Sequence, residues 1–291
     1  MRIMDTNKNL YTVVYATLLV VIVAALLAFV AASLKSRQQK NIDMEKQTSF
    51  LKAVGLGADA QSAPDKVAYI QNEFAKYIVE SFTVDAAGKV SDVVKGSAEE
   101  PEAIVNSPAF RVNLKEQYDL LKKSSGAEAQ SSLSLKLPVF KCALDNETVY
   151  LFSCYGAGLW GPIWGYIALK DDFNTVYGAA FDHKSETPGL GAEIATEWFQ
   201  NNFKGKSIFE GDEFVSVSVM KGGATPGNNH QVDAVTGGTI TSKALDETMK
   251  SWLGAYLPYI KEAKKSCEQL EEEVPFKVLT PAVADSLSLN K

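Results

Sequence analysis

The sequence predicts an α+β protein, with a mainly antiparallel sheet and flanking helices, preceded by one N-terminal transmembrane helix. Three observations support this fold class. An uncharged apolar run lies near the start of the chain, short strand-like runs separated by turn residues fill its middle, and an amphipathic segment follows them. Short strands joined by tight turns favour antiparallel pairing, and apolar residues at helical spacing favour a helix packed on the sheet.

The apolar run covers residues 10–34, which are 25 residues without a charge. About 20 apolar residues are enough to cross the hydrocarbon core of a bilayer. We therefore predict a transmembrane helix in membrane lipid, after a short tail at 1–9 and before a polar stalk at 35–57 that passes into a short helix. Residues 31–33 (AAS) make cleavage as a signal peptide conceivable, but the run is too long for one. Two basic residues precede the run and three follow it, which is too small a difference to decide its orientation.

Residues 58–135 are predicted to be the helical and irregular first part of the soluble domain. An amphipathic helix is expected over 64–82, because apolar residues recur there at helical spacing. A turn then separates two short strands at 82–84 and 90–94. Residues 95–135 are rich in Ser, Glu and Ala, and we expect them to be an irregular or peripheral helical excursion.

Residues 136–270 are predicted to carry most of the sheet, because apolar and β-branched runs alternate there with turn residues. The predicted strands cover residues 137–140, 148–152, 163–169, 176–181 and 214–220. A helix is expected from Ala244, with Thr241 or Ser242 as its N-cap. An acidic tail at 271–291 ends the chain.

The composition argues against several kinds of function. A net charge of −6 argues against nucleic acid as a partner. The three cysteines match no zinc or iron–sulfur spacing, and two histidines are too few for a His-rich metal centre, so no metal site is predicted. An odd number of cysteines is not a disulfide framework either.

Residues 233–242 (DAVTGGTITS) are the most informative part of the chain. Hydroxyl residues bracket a glycine pair directly before the predicted helix. The first N–H groups of a helix have no intrahelical partner and lie at the positive end of its dipole, so a phosphate would be stabilised beside Thr239. A capped helix after a Gly-Gly turn, without any ligand, is the alternative interpretation.

Residues 156–161 (GAGLWG) match the GxGxxG pattern and follow a predicted strand. A dinucleotide-binding fingerprint needs a helix to begin at its glycines. Residues 162–169 continue instead as an apolar strand, so we predict a tight hairpin at this point. Trp160 and Trp164 could then pack near a ligand or fill the core.

Residues 183–191 (HKSETPGLG) form the third unusual string. Its central TPGL suits a type II turn, in which Pro188 fixes φ and Gly189 supplies the positive φ that follows. His183 and Glu186 could act as acid and base. We expect instead that Glu186 anchors the loop and that His183 makes a hydrogen bond to the backbone.

These three strings resemble those of the FMN-binding domain family. The string at 233–241 is similar to the family's flavinylation motif, D-x-x-(S/T)-G-A-T, in which a flavin transferase joins FMN to the motif's threonine through a phosphoester. The resemblance implies Thr239 as the acceptor, with Thr241 as the alternative, and Gly238 stands where the family usually has Ala. It implies a cofactor site formed by Asp233, Thr236, Gly237, Gly238, Thr239, Thr241, Trp160, Gly161, Glu186, Thr187, Leu190 and Gly191.

With its N-terminal anchor, the chain further resembles the C subunits of bacterial sodium-translocating NADH:quinone oxidoreductases. That resemblance implies a single-pass inner-membrane subunit with one covalent FMN, a periplasmic soluble domain, and the other subunits of the complex and a flavin transferase as partners. No residue for independent substrate turnover is expected, because the flavin supplies the redox chemistry. Two alternatives remain: the G subunit of the related ferredoxin:NAD-oxidising complex, and a flavin-free, membrane-anchored sensor or binding domain.

Overall fold

The computed structural model describes residues 9–97, 100–123 and 134–273. The chain divides between Thr48 and Ser49 into two compact units. Most of the predicted N-terminal tail and of the acidic tail lies outside the described residues.

The first helix, α1 (Asn9–Ala53), is 45 residues long and does not end at residue 34, the last residue of the predicted transmembrane helix. It continues because residues 35–53 contain no Gly or Pro and are rich in Lys, Gln and other helix-favouring residues. The chain leaves the helix before Gly55 and Gly57, which have φ of 73° and 83°. In the described part of the chain, α1 is the one helix long and apolar enough to cross a membrane, and the apolar side chains of its residues 12–34 are exposed, as those of a lipid-facing helix would be.

The second unit is built on a six-stranded antiparallel sheet in the order β2-β1-β3-β4-β5-β6. Its strands are β1 (Ile78–Val84), β2 (Val90–Lys95), β3 (Leu137–Ala143), β4 (Thr148–Ala157), β5 (Pro162–Lys170) and β6 (Val176–His183). Two small two-stranded sheets accompany it, the antiparallel pair β7 (Phe209–Glu210) and β8 (Glu213–Phe214) and the parallel pair β9 (Ser218–Met220) and β10 (Gln231–Asp233). The predicted antiparallel α+β fold is therefore confirmed.

The helices after α1 are α2 (Lys66–Tyr77), α3 (Ala103–Asn106), α4 (Pro108–Arg111), α5 (Leu114–Lys123), α6 (Glu197–Gln200) and α7 (Thr239–Glu273). Short 3-10 turns lie at Ala58–Gln61, Gly191–Ala195 and Asn201–Phe203. The long α7 is the element that places the predicted acceptor, because Thr239 is its first residue.

Three predicted element boundaries were wrong. The helix expected over 64–82 ends at Tyr77, because residues 78–84 pair with strands on both sides and tertiary pairing overrides local periodicity. The strand expected over 214–220 is broken at Ser216, whose φ of 62° is incompatible with a strand. The last helix begins at Thr239 rather than at Ala244.

Side chains from the two faces of the sheet form two separate hydrophobic clusters, as the period of two in a strand requires. One cluster is covered by α7, and the other by α2 and by the end of α1 around Phe50. Residues 95–135 are less peripheral than expected, since Ile104 and Phe110 are buried in the second cluster and Leu121 in the first. Residues 98–99 and 124–133 of that segment lie outside the described residues.

Hydrogen bonds from two aromatic side chains fix α7 on the sheet. Trp252 donates its Nε1–H to the carbonyl of Tyr155 at 2.6 Å, and the hydroxyl of Tyr256 donates to the carbonyl of Pro138 at 2.9 Å. Tyr155 lies near the end of β4, so the first bond holds the helix beside the turn between β4 and β5. The start of α7 therefore has a defined position relative to that turn.

Candidate functional site

A pocket of about 260 Å³ lies where the turn between β4 and β5, the loop after β6 and the start of α7 meet. Its lining residues are Leu159, Trp160, Glu186, Thr187, Leu190, Gly191, Gly237, Gly238, Thr239, Ile240 and Thr241. All but Leu159 and Ile240 are residues that were predicted from the sequence to form a cofactor site. Leu159 and Ile240, which were missed, are exposed apolar residues. The sequence indicated them only through their neighbours Trp160 and Thr239, which belong to the predicted site.

The turn before α7 brings the backbone unusually close to the loop after β6. Gly237 has a φ of 76°, and a Cβ at this position would lie 2.5 Å from Cδ2 of Leu190. Glycine is therefore favoured here by its backbone conformation, and any larger residue would also displace the Leu190 side chain. The N–H of Ser242 donates to the carbonyl of Gly238 at 2.9 Å, which closes the first turn of the helix.

The hydroxyl side chains of this first turn differ in their access to solvent. Thr239 is exposed, whereas Thr241 is 1% exposed and donates its hydroxyl to Oε2 of Glu186 at 2.7 Å. Ser242 is equally buried, and its Oγ accepts the N–H of Val235 at 3.1 Å. Neither Thr241 nor Ser242 is the N-cap that was predicted, because the helix already begins at Thr239.

The carboxylate of Glu186, in the loop after β6, links that loop to the β4–β5 turn and to the start of α7. Glu186 is 4% exposed, and its Oε1 accepts the N–H of Trp160 at 2.9 Å while its Oε2 accepts the hydroxyl of Thr241. Its own N–H donates to Nδ1 of His183 at 3.2 Å. These contacts confirm the expected anchoring role of Glu186 and the expected backbone hydrogen bond of His183.

The loop after β6 forms the predicted tight turn. The N–H of Leu190 donates to the carbonyl of Thr187 at 3.1 Å, and Gly189 has a φ of 76°, as a type II turn requires. The N–H of Gly189 also donates to Oε1 of Glu193 at 3.1 Å, and Oε2 of Glu193 accepts Nε1–H of Trp198 at 3.3 Å. Glu193 and Trp198 were not predicted to take part, since no motif residue marks them.

Three of the proposed site residues do not line the pocket. Asp233 accepts the N–H of Ala224 at 2.6 Å through Oδ1, so its carboxylate holds the loop between β9 and β10. Thr236 is exposed in the turn before the helix. Gly161 leaves room for the hydroxyl of Ser185, which donates to the carbonyl of Trp160 at 2.8 Å.

The turn between β4 and β5 is the predicted hairpin and not the start of a dinucleotide-binding unit. The N–H of Gly158 donates to the carbonyl of Gly161 at 2.8 Å, and β5 follows in antiparallel register with β4. Trp160 is 67% exposed at the rim of the pocket, so it does not fill the core.

The thiols of the sheet are not available for chemistry at this pocket. Cys142 and Cys154 are buried in different clusters of the core. Burial raises the pKa of both thiols to about 12, so they stay protonated and unreactive at neutral pH.

Comparison with known proteins agrees with this geometry. Residues 158–254 match the FMN-binding domain family, and this segment begins at the β4–β5 turn and includes the start of α7. The C subunit of the Na(+)-translocating NADH-quinone reductase of Haemophilus ducreyi is 31% identical over 263 residues, which are 89% of this chain and 95% of that protein. The chain belongs to the family of these C subunits. Its Pseudomonas aeruginosa relative is 30% identical over 246 residues, 82% of this chain and 90% of that protein.

Solved structures show the same fold. The crystal structure of the C subunit of the Na(+)-translocating NADH-quinone reductase from Parabacteroides distasonis has 34% sequence identity and a TM-score of 0.60, and the match covers 78% of this chain and 96% of that chain. The NqrC structure from Shewanella oneidensis, at 23% identity and a TM-score of 0.55, supports the fold alone. As a family member, the chain is a subunit of an oxidoreductase complex.

The pocket has the features that an FMN group needs. The helix start offers backbone N–H groups for a phosphate, and Leu159, Trp160, Leu190 and Ile240 offer apolar surface for a flat ring. Its volume of about 260 Å³ is below the roughly 300–1,000 Å³ of enclosed ligand pockets. A flavin held here would therefore be only partly covered.

Proposed function

We propose that this chain is the membrane-anchored flavoprotein subunit of a Na+-translocating NADH-quinone reductase and carries electrons on an FMN joined through its phosphate to Thr239. The observation that carries the proposal is the exposure of Thr239 on the first turn of α7, beside the apolar rim of the pocket. Thr241, the alternative acceptor, is buried against Glu186.

The attachment is a phosphoryl transfer that needs an activated donor. Oγ of Thr239 attacks the flavin-bearing phosphorus of a phosphoanhydride such as a flavin dinucleotide, held by a flavin transferase. The bond from Oγ to phosphorus forms, the anhydride P–O bond breaks, and a nucleoside monophosphate leaves. The hydroxyl proton passes to the transferase or to solvent. An exposed hydroxyl at a helix start allows the transferase to reach it.

The chain's own residues then hold the phosphodiester and the ring. The free N–H groups and the dipole of the first turn stabilise the single negative charge of the diester. Gly237 and Gly238 let the backbone come close to it. Trp160 and Leu190 line the pocket and would cover one side of the ring against water. The flavin supplies the redox chemistry, and the protein supplies its position and surroundings.

Partial cover of the ring suits exchange of electrons with neighbouring subunits of the complex, because an exposed ring edge can approach a second redox centre. The long apolar α1 supports a single-pass anchor in the inner membrane. We assign the second unit (Ser49–Lys291), hereafter the soluble unit, to the periplasmic side of the membrane. In this arrangement the chain carries electrons but has no turnover of its own.

The test is the mass of the protein purified from its native membrane under denaturing conditions. The expected result is an increase of one FMN less one water, located by peptide fragmentation on Thr239. Thr239→Ala should abolish the added mass and the yellow colour that survives denaturation, whereas Thr239→Ser should keep both because it retains the hydroxyl. An unmodified native protein would mean that the string at 233–242 is a capped turn and would favour a flavin-free binding domain.

A further inference from the structure

We infer that Glu186 selects the hydroxyl that is esterified: it is a positioning residue that withholds Thr241 and leaves Thr239 as the acceptor. The inference rests on the proposed function, since it concerns the same attachment. Its basis is independent, because it comes from the packing around one buried carboxylate.

Two glycines from separate segments are packed against this carboxylate. A Cβ at Gly158 would lie 2.5 Å from Oε1 of Glu186, and a Cβ at Gly191 would lie 2.5 Å from Oε2. Neither glycine has a positive φ, so backbone conformation does not require them. They provide the space in which Glu186 can reach both Trp160 and Thr241.

Chemical reactivity and access make opposite predictions for the two threonines. A hydroxyl hydrogen-bonded to a carboxylate has a base beside it, so Thr241 would be the better nucleophile if it could be reached. The carboxylate and Gly191 enclose its Oγ, however, and the carboxylate bears the same sign of charge as an incoming phosphate.

Thr239, unlike Thr241, is exposed to solvent. Residues two apart on a helix point about 200° apart around its axis, so the side chains of Thr239 and Thr241 diverge from the helix although both residues line the pocket. It lies at the positive end of the helix dipole, where a phosphate is attracted. Glu186 therefore acts by shielding and repulsion at Thr241, and not as a general base.

The experiment uses the full chain co-expressed with a flavin transferase, with the ester located by peptide mass. In Thr239→Ala, the ester on Thr241 should be on the order of a hundredfold below the wild-type level at Thr239. In Thr239→Ala/Glu186→Ala, the ester on Thr241 should rise about tenfold or more, because the shield and the charge are gone. The gain supports the inference only if the double variant still unfolds cooperatively in urea, because loss of structure would also expose the buried Thr241.

Glu186→Gln in the Thr239→Ala background separates charge from shielding. Its side chain can still accept from Trp160 and contact the Thr241 oxygen but carries no charge, so the ester on Thr241 should rise less than in Thr239→Ala/Glu186→Ala. If the Ala double variant does not fold, Glu186→Asp in the Thr239→Ala background replaces it, since the shorter carboxylate withdraws from Thr241, and the ester should again appear there.

Two results would overturn the inference. One is a substantial ester on Thr241 in Thr239→Ala with Glu186 intact, and the other is no ester on Thr241 in a folded double variant. An unmodified wild-type chain would instead overturn the proposed function, and with it this inference, so the two failures are distinguishable.

Discussion

Single residues around the pocket have roles that their sequence patterns did not reveal. Gly158 belongs to a GxGxxG pattern, and Gly191 ends a turn motif, yet both accommodate the carboxylate of Glu186. A glycine that provides space looks the same in a sequence as one that provides a positive φ. The resemblance to a family marked most of the pocket residues, but the hydrogen bond from Thr241 to Glu186 depends on side-chain direction across 55 positions and could not be predicted.

Gly191→Ala should lower the free energy of unfolding by about 1–3 kcal/mol, because the new methyl group forces apart a packed carboxylate and a hydroxyl. The fraction of chain esterified on Thr239 should fall in the same protein, since the start of α7 moves with Thr241. Urea denaturation followed by tryptophan fluorescence gives the first quantity and intact mass gives the second.

Gly254→Ala is the matched control, because the nearest atom to its new Cβ is Cε1 of Phe214 at 3.9 Å, an ordinary contact. Within α7 this change should raise stability by up to about 1 kcal/mol through helix propensity. Equal effects of the two substitutions would show that Gly191 is not closely packed in solution.

At the scale of elements, periodicity predicted the sheet better than the ends of its helices. Strands β3 to β6 were identified because apolar alternation and turn residues mark short antiparallel strands locally. The helix predicted to residue 82 failed because the same apolar residues fit a helix face and a buried strand. Only the pairing of β1 with β2 and β3 decides between them, and pairing is not a local property.

Tyr256→Phe should lower the free energy of unfolding by about 1 kcal/mol, because a buried strand carbonyl loses its donor. The hydroxyl of Tyr256 donates to the carbonyl of Pro138 at 2.9 Å, and the ring is fully buried between α7 and the sheet. Esterification of Thr239 should persist, since Trp252 still binds the carbonyl of Tyr155. Urea denaturation and intact mass measure the two effects.

Tyr69→Phe on α2 provides the comparison, with an expected change within about 0.5 kcal/mol because its side chain is only half-buried. A loss of flavin in a stably folded Tyr256→Phe protein would mean that this bond places the helix start, and not only stabilises the fold.

At the scale of the whole molecule, the apolar part of α1 was predictable because 25 successive uncharged residues favour a helix long enough to span a bilayer. The length of α1 beyond that segment was missed, because the polar residues after it were interpreted as a stalk although they contain no Gly or Pro to end a helix. The division between Thr48 and Ser49 places the last turn of α1 with the soluble unit. Phe50 shows why: it is 0% exposed, and its ring centroid lies 4.5 Å from that of Phe140 and 4.4 Å from that of Tyr166.

A fragment of residues 49–291 should therefore fold cooperatively in water without detergent, whereas the full chain should stay in the membrane through alkaline carbonate washing.

A fragment of residues 56–291 lacks Phe50 and should be less stable by at least about 3 kcal/mol, the usual cost of removing a buried Phe side chain. Phe50→Ala in the longer fragment is the matched control and should account for most of that loss. Urea denaturation compares all three, and equal stability of the two fragments would show that the end of α1 belongs to the anchor and not to the core of the soluble unit.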